Sequence, residues 1–410
     1  MSAAAIALNG SRIESLRAVP VLAPMRYTLG TSAAAIKGAP LLLLDVRTSD
    51  GIVGRGYTFA YKPSGARGIV HVLDDALELM RGDGLAPLDI ARKLERRFAL
   101  LGVTGIVRLA LSVLDMALWD AVAIGLGQPL VRVLGASPRP VLAYNSNGLG
   151  LMAPEAAADE ALKLLADGAF KAVKLRLGYP TVAGDVAAIR AVRKAIADDV
   201  TLLTDYNQAL TTVEALARGR AIQHEGIAWI EEPIRHDDYA GNAQLARELE
   251  VPIQIGENFN GPAAMAAALA AGACDMVMPD AGRIGGVSGW MQAAGLAAAH
   301  GVPMSSHLMP EVTSHLLAAS PTAHYLEYVD WAAPVLQEPL RIVDGSAVIP
   351  DRPGSGIAWD EAAVAKYKLD RDAATRRASR ARSDSPAGAI LGTVLGRVSM
   401  VTCRRRTSCG

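Results

Sequence analysis

The feature that most constrains the fold is a strand–helix unit that repeats along the middle of the chain. Its apolar runs have the length and β-branched content of buried parallel strands, and Ala-rich, helix-length stretches follow them. Three runs end at Asp205, Glu231 and Glu257, about 26 residues apart. From Arg139 onward the strand segments are RPVLAYNS, KAVKLRL, VTLLTDYN, GIAWIEEP, VPIQIGEN, CDMVMPD, VPMSSHL and HYLEYV. Eight strands are what a closed (β/α)₈ barrel needs, so the repeat predicts an α/β barrel.

The three acidic residues at these strand ends predict a metal site. In a barrel of this kind the carboxyl ends of all strands open onto one face, where successive carboxylates converge. Such groups repel one another unless a cation lies among them, and hard divalent ions take oxygen ligands. We expect one Mg²⁺ per subunit at Asp205, Glu231 and Glu257, with Mn²⁺ as a possible substitute. The alternative is that each residue only caps the helix after its strand.

The part of the chain before the barrel has a different pattern. The alternating stretch LLLLDVRTSDGIVGRGYTFAY predicts a β-hairpin that turns at Ser49–Gly51. Helical stretches follow over about 66–101 and 105–126. The predicted domains are an α+β cap (1–138), a barrel (139–338), a return to the cap (339–370) and a disordered basic tail (371–410).

The charge and cysteine distributions exclude several classes of protein. The tail holds nine Arg and two Asp, so the first 370 residues are net −7 although the whole chain is neutral. That body lacks the basic face that nucleic acid requires. Only Cys274 lies outside the tail, so no disulfide framework exists, and the N-terminal apolar patch has no basic region before it. We expect a cytoplasmic protein without nucleic-acid or membrane partners.

Two further strand ends carry an acid and a histidine. Asp280 ends the sixth strand segment and His307 ends the seventh. Because neighbouring strand ends lie close together, the carboxylate can accept a hydrogen bond from one imidazole nitrogen, which raises the pKa of the ring and leaves the other nitrogen as a general base. A structural histidine is the alternative.

The second strand segment places two cations on one face. Lys174 and Arg176 stand two residues apart in KAVKLRL, and an anionic substrate beside the metal would explain them. The alternative is a structural pair that the carboxylates neutralise. Asn207 shares a face with Asp205 and can bond a ligand oxygen. Glu327, near the end of the eighth strand, could stay protonated beside a bound carboxylate and donate a hydrogen bond.

These positions together resemble the enolase superfamily, and specifically its mandelate racemase subgroup. The matching strings are VKLRLGYP, DYNQ, WIEEP, GEN, MPDAGRIGG, PMSSHL and PTAHYLE, and the resemblance covers about residues 5–367. It implies a (β/α)₇β barrel under an α+β cap. It also implies Mg²⁺ ligands at Asp205, Glu231 and Glu257, a base dyad at Asp280 and His307, and catalytic roles for Lys174 and Glu327. In the family pattern Glu231 is the ligand, and strand alternation should send Glu232 elsewhere.

One departure from the subgroup bears on the reaction. Where mandelate racemase has a second Lys as the base opposite the His, this chain has Arg176, whose pKa above about 12 makes it a poor base. That favours the acid-sugar dehydratases of the subgroup, some of which rely on the His–Asp dyad alone. The apolar stretches Val21–Gly30 and Tyr57–Tyr61, with Leu308, Met309 and Val329 near the rim, favour an aromatic substrate instead, unless they only pack between domains.

The predicted reaction is Mg²⁺-dependent removal of the α-proton of a 2-hydroxycarboxylate by His307, through a metal-stabilised enediolate, followed by dehydration. Racemisation of a mandelate-like acid and a non-catalytic carboxylate-binding homologue are the alternatives. A homo-oligomer is expected. The residues expected to contact the substrate are Asn207, Tyr61, Ser146 and Leu308.

Overall fold

A three-stranded antiparallel sheet begins the computed structural model, which describes residues 10–30 and 35–369. Its strands are β1 (Ile13–Gly30), β2 (Ala35–Thr48) and β3 (Val53–Phe59), in that order across the sheet. The predicted hairpin joins β2 to β3, and Gly51 takes a φ of 86° in its turn. The apolar stretch Val21–Gly30 is part of β1 and pairs with β2. The predicted tail, 371–410, lies outside the described residues.

Three helices follow the sheet at the positions that the sequence predicts. They are α1 (Pro63–Met80), α2 (Pro87–Arg97) and α3 (Gly105–Gly125). The predicted helical region 66–101 is broken between α1 and α2, where Pro87 starts the second helix. Most of α3 is buried, because it packs on β3 on one side and on barrel helices on the other. A Cβ on Gly54 of β3 would lie 2.1 Å from the carbonyl oxygen of Ala117, so only glycine allows this close approach.

The barrel follows a short helix, α4 (Leu130–Val133). Its strands are β4 (Val141–Asn145), β5 (Ala172–Arg176), β6 (Thr201–Asp205), β7 (Ile230–Glu231), β8 (Ile253–Ile255), β9 (Met276–Val277) and β10 (Leu326–Tyr328). Between them lie α5 (Pro154–Ala166), α6 (Val182–Ala195), α7 (Thr212–Ile222), α8 (Tyr239–Glu248), α9 (Pro262–Ala270), α10 (Ala281–Ile284), α11 (Gly286–His300) and α12 (Pro310–Ala318). Strands β4 to β9 pair in parallel, and β10 pairs with β4, so the predicted barrel fold is confirmed.

The seventh strand position is filled less regularly than predicted. Only isolated bridges form there, from Met304 to Val277 and Ala323 and from His307 to Asp280. The backbone N–H groups of this segment nevertheless donate in turn to the segments on its two sides. Ser305 N donates to Val277 O, and Ser306 N donates to Tyr325 O. Prolines at 279 and 303 cannot donate to a ladder, which interrupts regular pairing without moving His307 out of place.

After the barrel strands, the chain contacts first the barrel and then the cap. A hairpin of β11 (Arg341–Val343) and β12 (Ser346–Val348) adds to β4 in antiparallel fashion. The last helix, α13 (Glu361–Tyr367), packs on β1, and Leu369 N donates to Pro20 O. Within the described ranges, none of the helices combines the length and hydrophobicity that a membrane span requires.

Candidate active site

Three acidic side chains converge at the carboxyl ends of neighbouring barrel strands. Asp205 ends β6, Glu231 ends β7 opposite it in register, and Glu257 follows β8 by two residues. One carboxylate oxygen from each lies within 4.8 Å of the others. Asp205 and Glu231 are buried and Glu257 is partly buried. An all-oxygen cluster of this size suits a hard divalent cation, so the residues present fit the predicted metal.

Lys174 is a positively charged residue that the cluster contacts directly. Its Nζ lies 2.6 Å from Glu231 Oε1, 2.9 Å from Glu327 Oε1 and 3.3 Å from Asp205 Oδ2. Burial by itself would lower the pKa of Lys174, but the surrounding carboxylates outweigh it and raise the pKa well above the ordinary value. Lys174 is therefore an ammonium ion at the metal site, where it can also meet a substrate carboxylate.

The predicted dyad forms on the neighbouring strand ends. His307 Nδ1 lies 2.6 Å from Asp280 Oδ2, while Asp280 Oδ1 accepts a hydrogen bond from Gly282 N at 2.6 Å. The other ring nitrogen, Nε2, lies 3.2 Å from Glu257 Oε2. Asp280 thus holds the ring with Nε2 directed at the metal cluster, as the sequence predicts for a general base.

The charge on His307 depends on the carboxylates around it. Burial lowers the pKa of the ring, but Glu257, Glu327 and Asp280 raise it to about 10 in total. Without a bound metal, His307 is therefore an imidazolium that pairs with Glu257. A divalent cation that neutralises Glu257 would remove much of this stabilisation and lower the pKa of His307 toward the range of a base.

Glu327 is expected to be protonated beside a bound carboxylate, and its environment in the protein without substrate favours the ionised form. It accepts hydrogen bonds from Ser146 Oγ at 2.7 Å and from Leu308 N at 2.9 Å, besides the ion pair with Lys174. Burial would raise the pKa of Glu327, but Lys174, His307 and these donors lower it below the ordinary value. In the protein alone Glu327 is therefore a carboxylate, because the two cations beside it stabilise the ionised form.

Arg176 contacts the loop after β4 and forms no ion pair with the described residues. Its Nη1 donates to Gly148 O at 2.8 Å and to Ser146 O at 3.3 Å, and Nη2 lies 3.4 Å from Ser146 Oγ. The Nε atom is buried with no hydrogen-bond partner among those residues. Ser146 thereby joins Arg176 to Glu327, and the buried guanidinium has no carboxylate partner among the described residues.

The remaining predicted contacts have mixed outcomes. Asn207 N and Nδ2 donate to the two oxygens of Asp205 at 2.7 and 3.0 Å, so Asn207 positions that carboxylate. Tyr61 lies on the cap side, with its hydroxyl 3.2 Å from Arg283 Nε. Leu308, Met309 and Val329 are only 4, 1 and 4% exposed and belong to the core, which favours the alternative that these residues serve packing. The contact of Leu308 with the substrate stays a prediction.

Sequence reasoning missed a second acidic residue beside the cluster. Glu232, expected to point elsewhere, is buried, and its Oε2 accepts from Asn258 Nδ2 at 2.7 Å. Asn258 Nδ2 also donates to Glu257 Oε1 at 3.1 Å. Alternation fails here because β7 ends at Glu231 and Glu232 takes a φ of 36°, outside the extended region. Two consecutive glutamates at a strand end, Glu231 and Glu232, are the sequence feature that could have indicated this position.

Two family profiles match the chain. The N-terminal domain profile of the mandelate racemase / muconate lactonizing enzyme family matches residues 13–135, and the enolase C-terminal domain-like profile matches residues 156–363. L-talarate/galactarate dehydratase of Salmonella typhimurium strain LT2 is 33% identical over 365 residues, which are 87% of this chain and 91% of that protein.

Solved structures are similar over the same region. An enolase from the alpha proteobacterium BAL199, with bound magnesium, is 44% identical with a TM-score of 0.86, covering 88% of this chain and 100% of that one. An enolase from Bradyrhizobium, complexed with magnesium and mandelic acid, is 38% identical with a TM-score of 0.85, covering 88% of this chain and 99% of that one.

Proposed function

The chain belongs to the mandelate racemase / muconate lactonizing enzyme family of the enolase superfamily, and we propose that it dehydrates a 2,3-dihydroxycarboxylate after removing its α-proton. The observation that carries this proposal is the asymmetry of the site. A histidine–aspartate dyad lies beside the metal cluster, whereas the position where the family resemblance expects a second base is taken by Arg176, a guanidinium that cannot release its proton.

Asp205, Glu231 and Glu257 would hold Mg²⁺, which relatives of similar sequence bind. The ion supplies positive charge to the substrate carboxylate, which makes the neighbouring C–H bond more acidic. Lys174, held charged by Glu231 and Glu327, adds a second positive charge on the same carboxylate. Asn207 keeps Asp205 oriented through two hydrogen bonds.

His307 performs the proton transfers in this proposal. Nε2 takes the α-proton, and the C–H electron pair moves into the carboxylate to give an enediolate. That electron pair then forms a carbon–carbon double bond as the C–O bond at the β-carbon breaks. The same proton then leaves with the departing hydroxyl as water, so His307 returns to its neutral form. The resulting enol becomes a 2-keto-3-deoxy acid. Asp280 fixes the ring through Nδ1 and stabilises the imidazolium between the two transfers.

Racemisation is the second candidate, favoured by the Bradyrhizobium enolase complexed with mandelic acid. It requires a base on each face of the enediolate. Arg176 occupies the second position and is tied to Ser146 and Gly148, which argues against efficient proton transfer there. A non-catalytic carboxylate-binding role is a further alternative, and a homo-oligomer stays a prediction.

The test is a screen of 2-hydroxy acids with the Mg²⁺-loaded enzyme in D₂O, followed by ¹H NMR. The panel should include sugar acids and both enantiomers of mandelate. We expect loss of water from at least one sugar acid, and no turnover of that acid by His307→Asn. Equal α-deuteration of both mandelate enantiomers without any dehydration would favour racemisation. Absence of any metal-dependent exchange would favour a binding protein.

A further inference from the structure

A cavity of about 490 Å³ lies between the cap and the barrel beside the metal cluster. Its wall on the cap side includes Tyr61 and Arg108, and its wall on the barrel side includes His236, Asn258 and Arg283. Asn258 also donates to Glu257 Oε1, which places the cavity next to a predicted metal ligand. The volume is in the range of small-ligand sites. A substrate held at the metal could therefore extend one end into this cavity.

Arg283 is the feature of the cavity that the predicted reaction does not use. The residue lies on α10, three positions after Asp280, and its guanidinium stacks on the Tyr61 ring at 4.6 Å from the centroid. Its Nε lies 3.2 Å from the Tyr61 hydroxyl. Among residues 10–30 and 35–369, neither terminal nitrogen of Arg283 forms a hydrogen bond or an ion pair. Those two nitrogens are the donors that a planar anion would engage.

The other charges near the cavity are already matched. Arg108 pairs with Glu95 at 2.9 Å. The carboxylates whose field reaches Arg283 are Asp280, which bonds His307, and Glu257, a predicted metal ligand. When the metal is bound, Glu257 has a cationic partner of its own, and both oxygens of Asp280 are engaged in hydrogen bonds with His307 Nδ1 and Gly282 N. The positive charge of Arg283 is then left without a counter-ion, in a partly desolvated position where an unmatched charge is unfavourable.

We propose that Arg283, supported by Tyr61, binds the second carboxylate of a dicarboxylic hydroxy acid whose first carboxylate lies at the metal. A carboxylate is the matching anion because its two oxygens fit the paired N–H groups of guanidinium. The substrate class is then a hydroxylated diacid rather than a monoacid or an aromatic acid. This inference rests on the proposed function, since that function places the first carboxylate.

The experiment compares diacids with the monoacids that differ only in a terminal CH₂OH. The pairs are tartrate with threonate, xylarate with xylonate, and galactarate with galactonate. Binding to the Mg²⁺-loaded His307→Asn variant is measured by calorimetry, so turnover does not interfere. At least one diacid should bind about tenfold more tightly than its monoacid, a difference typical of one charged hydrogen-bonded pair. Adding Arg283→Gln should remove that preference and leave monoacid binding within about twofold.

Two further variants make the result specific. Arg235→Gln removes an exposed guanidinium near the same wall, paired with Asp237, and should leave the diacid preference unchanged. Arg283→Lys keeps the charge but not the planar pair of donors, so it should restore the preference only in part. Thermal melts check that each variant folds.

The proposal is overturned if no diacid binds more tightly than its monoacid, or if the preference persists in Arg283→Gln. Tighter binding of mandelate than of every diacid would also overturn it. The proposed function fails separately, when the enzyme with His307 intact shows no metal-dependent α-proton exchange.

Discussion

The mouth of the barrel and the seam between the cap and the barrel both bury carboxyl groups, but they stabilise them differently. At the mouth, defined by Asp205, Glu231, Glu257, Glu327 and Asp280, the acids contact cations. Lys174 pairs with three of them, and His307 with Asp280, Glu257 and Glu327. Each of these carboxyl groups lies beside a positive group or faces the predicted metal position. Against the effect of burial, Lys174 and His307 lower the pKa of Glu327, whereas burial raises the pKa of Glu231 well above its ordinary value.

At the seam, defined by Asp115, Asp120 and Glu311, the partners are neutral donors. Asp115 accepts from Ser288 N and Oγ at 2.9 and 2.6 Å, and Asp120 accepts from the backbone of Arg55 and Ser355. The Tyr57 hydroxyl donates to Glu311. Burial raises the pKa of Asp115 and Glu311 to about 7 and that of Asp120 to about 6.

This difference between the two regions indicates that the mouth is arranged for chemistry and that the seam holds the cap and the barrel together. Acids that pair with Lys174 and His307 are arranged to bind a metal and an anion, whereas acids that accept from hydroxyl and amide donors join two parts of the chain and respond to pH near neutrality. Substitutions at the mouth should therefore change activity while leaving the fold in place, and substitutions at the seam should change stability.

The largest effect on activity is expected from Glu231→Gln. Losing one charged ligand should weaken the metal and lower turnover by about 10⁴-fold or more, since several kcal/mol of charge stabilisation are lost. Turnover is measured with Mg²⁺ present, and circular dichroism checks the fold. The matched control is Glu225→Gln, an acid paired with exposed Arg190 far from the cluster. Full activity of Glu231→Gln, or of the wild type in excess chelator, would contradict the metal assignment.

The next effect concerns the dyad. His307→Asn should reduce α-proton exchange by roughly 10³-fold, because the general base is lost, and Asp280→Asn should reduce it by about 10–100-fold through a misplaced ring. Exchange into D₂O is followed by NMR, with His300→Asn at the exposed end of α11 as control. Substantial exchange in His307→Asn would show that another group removes the proton.

Arg176→Lys tests proton transfer at the second face of the enediolate, and the expected change in activity is smaller. The wild-type enzyme should exchange the α-proton of one enantiomer of a 2-hydroxy acid much faster than the other, because only His307 can accept it. A lysine installs an amine that can titrate, so racemisation of mandelate should appear or rise by up to about tenfold. Polarimetry with each enantiomer measures this. Equal rates from both enantiomers in the wild type would return racemisation to first place.

At the seam, Glu311→Gln should change stability and its dependence on pH. The folded-state pKa of Glu311 is about 7 and the ordinary value is 4.5, so its protonation stabilises the fold fully below about 4.5 and this contribution is lost as pH rises through 7. Glutamine has no such loss. Relative to the wild type, the variant should therefore gain roughly 1–3 kcal/mol in free energy of unfolding between pH 5 and pH 8.

Urea unfolding of the Mg²⁺-loaded proteins at the two pH values measures this gain. Tyr57→Phe provides the comparison, because losing the donor that stabilises the ionised form should steepen the loss of stability above pH 7. A difference between Glu311→Gln and wild type that does not change with pH would refute the buried-acid interpretation of the seam.

Much of the fold and most of the predicted site could be read from local sequence. The repeat of strands and helices predicted the barrel, and the residues that end its strands predicted which side chains meet at the mouth. The segment VPMSSHL was predicted as one of eight strands, and Leu308 and Met309 were predicted to lie near the rim of the barrel. That segment forms only isolated bridges, because proline cannot donate a hydrogen bond to a ladder. Leu308 and Met309 are buried in the core, and this packing depends on residues that are distant in the chain.

The sequence by itself determined the positions of the metal-ligand candidates and of the dyad, because strand period and strand end are local properties of the chain. Only the tertiary structure decided the charge on Glu327, the place of Glu232 beside the cluster and the stacking of Arg283 on Tyr61. The physical reason is distance along the chain: Lys174 reaches Glu327, and Tyr61 reaches Arg283, only after the barrel closes and the cap packs on it. The ionisation and pairing of a side chain depend on such neighbours, and the hydrophobic periodicity of the sequence does not indicate which neighbours these are.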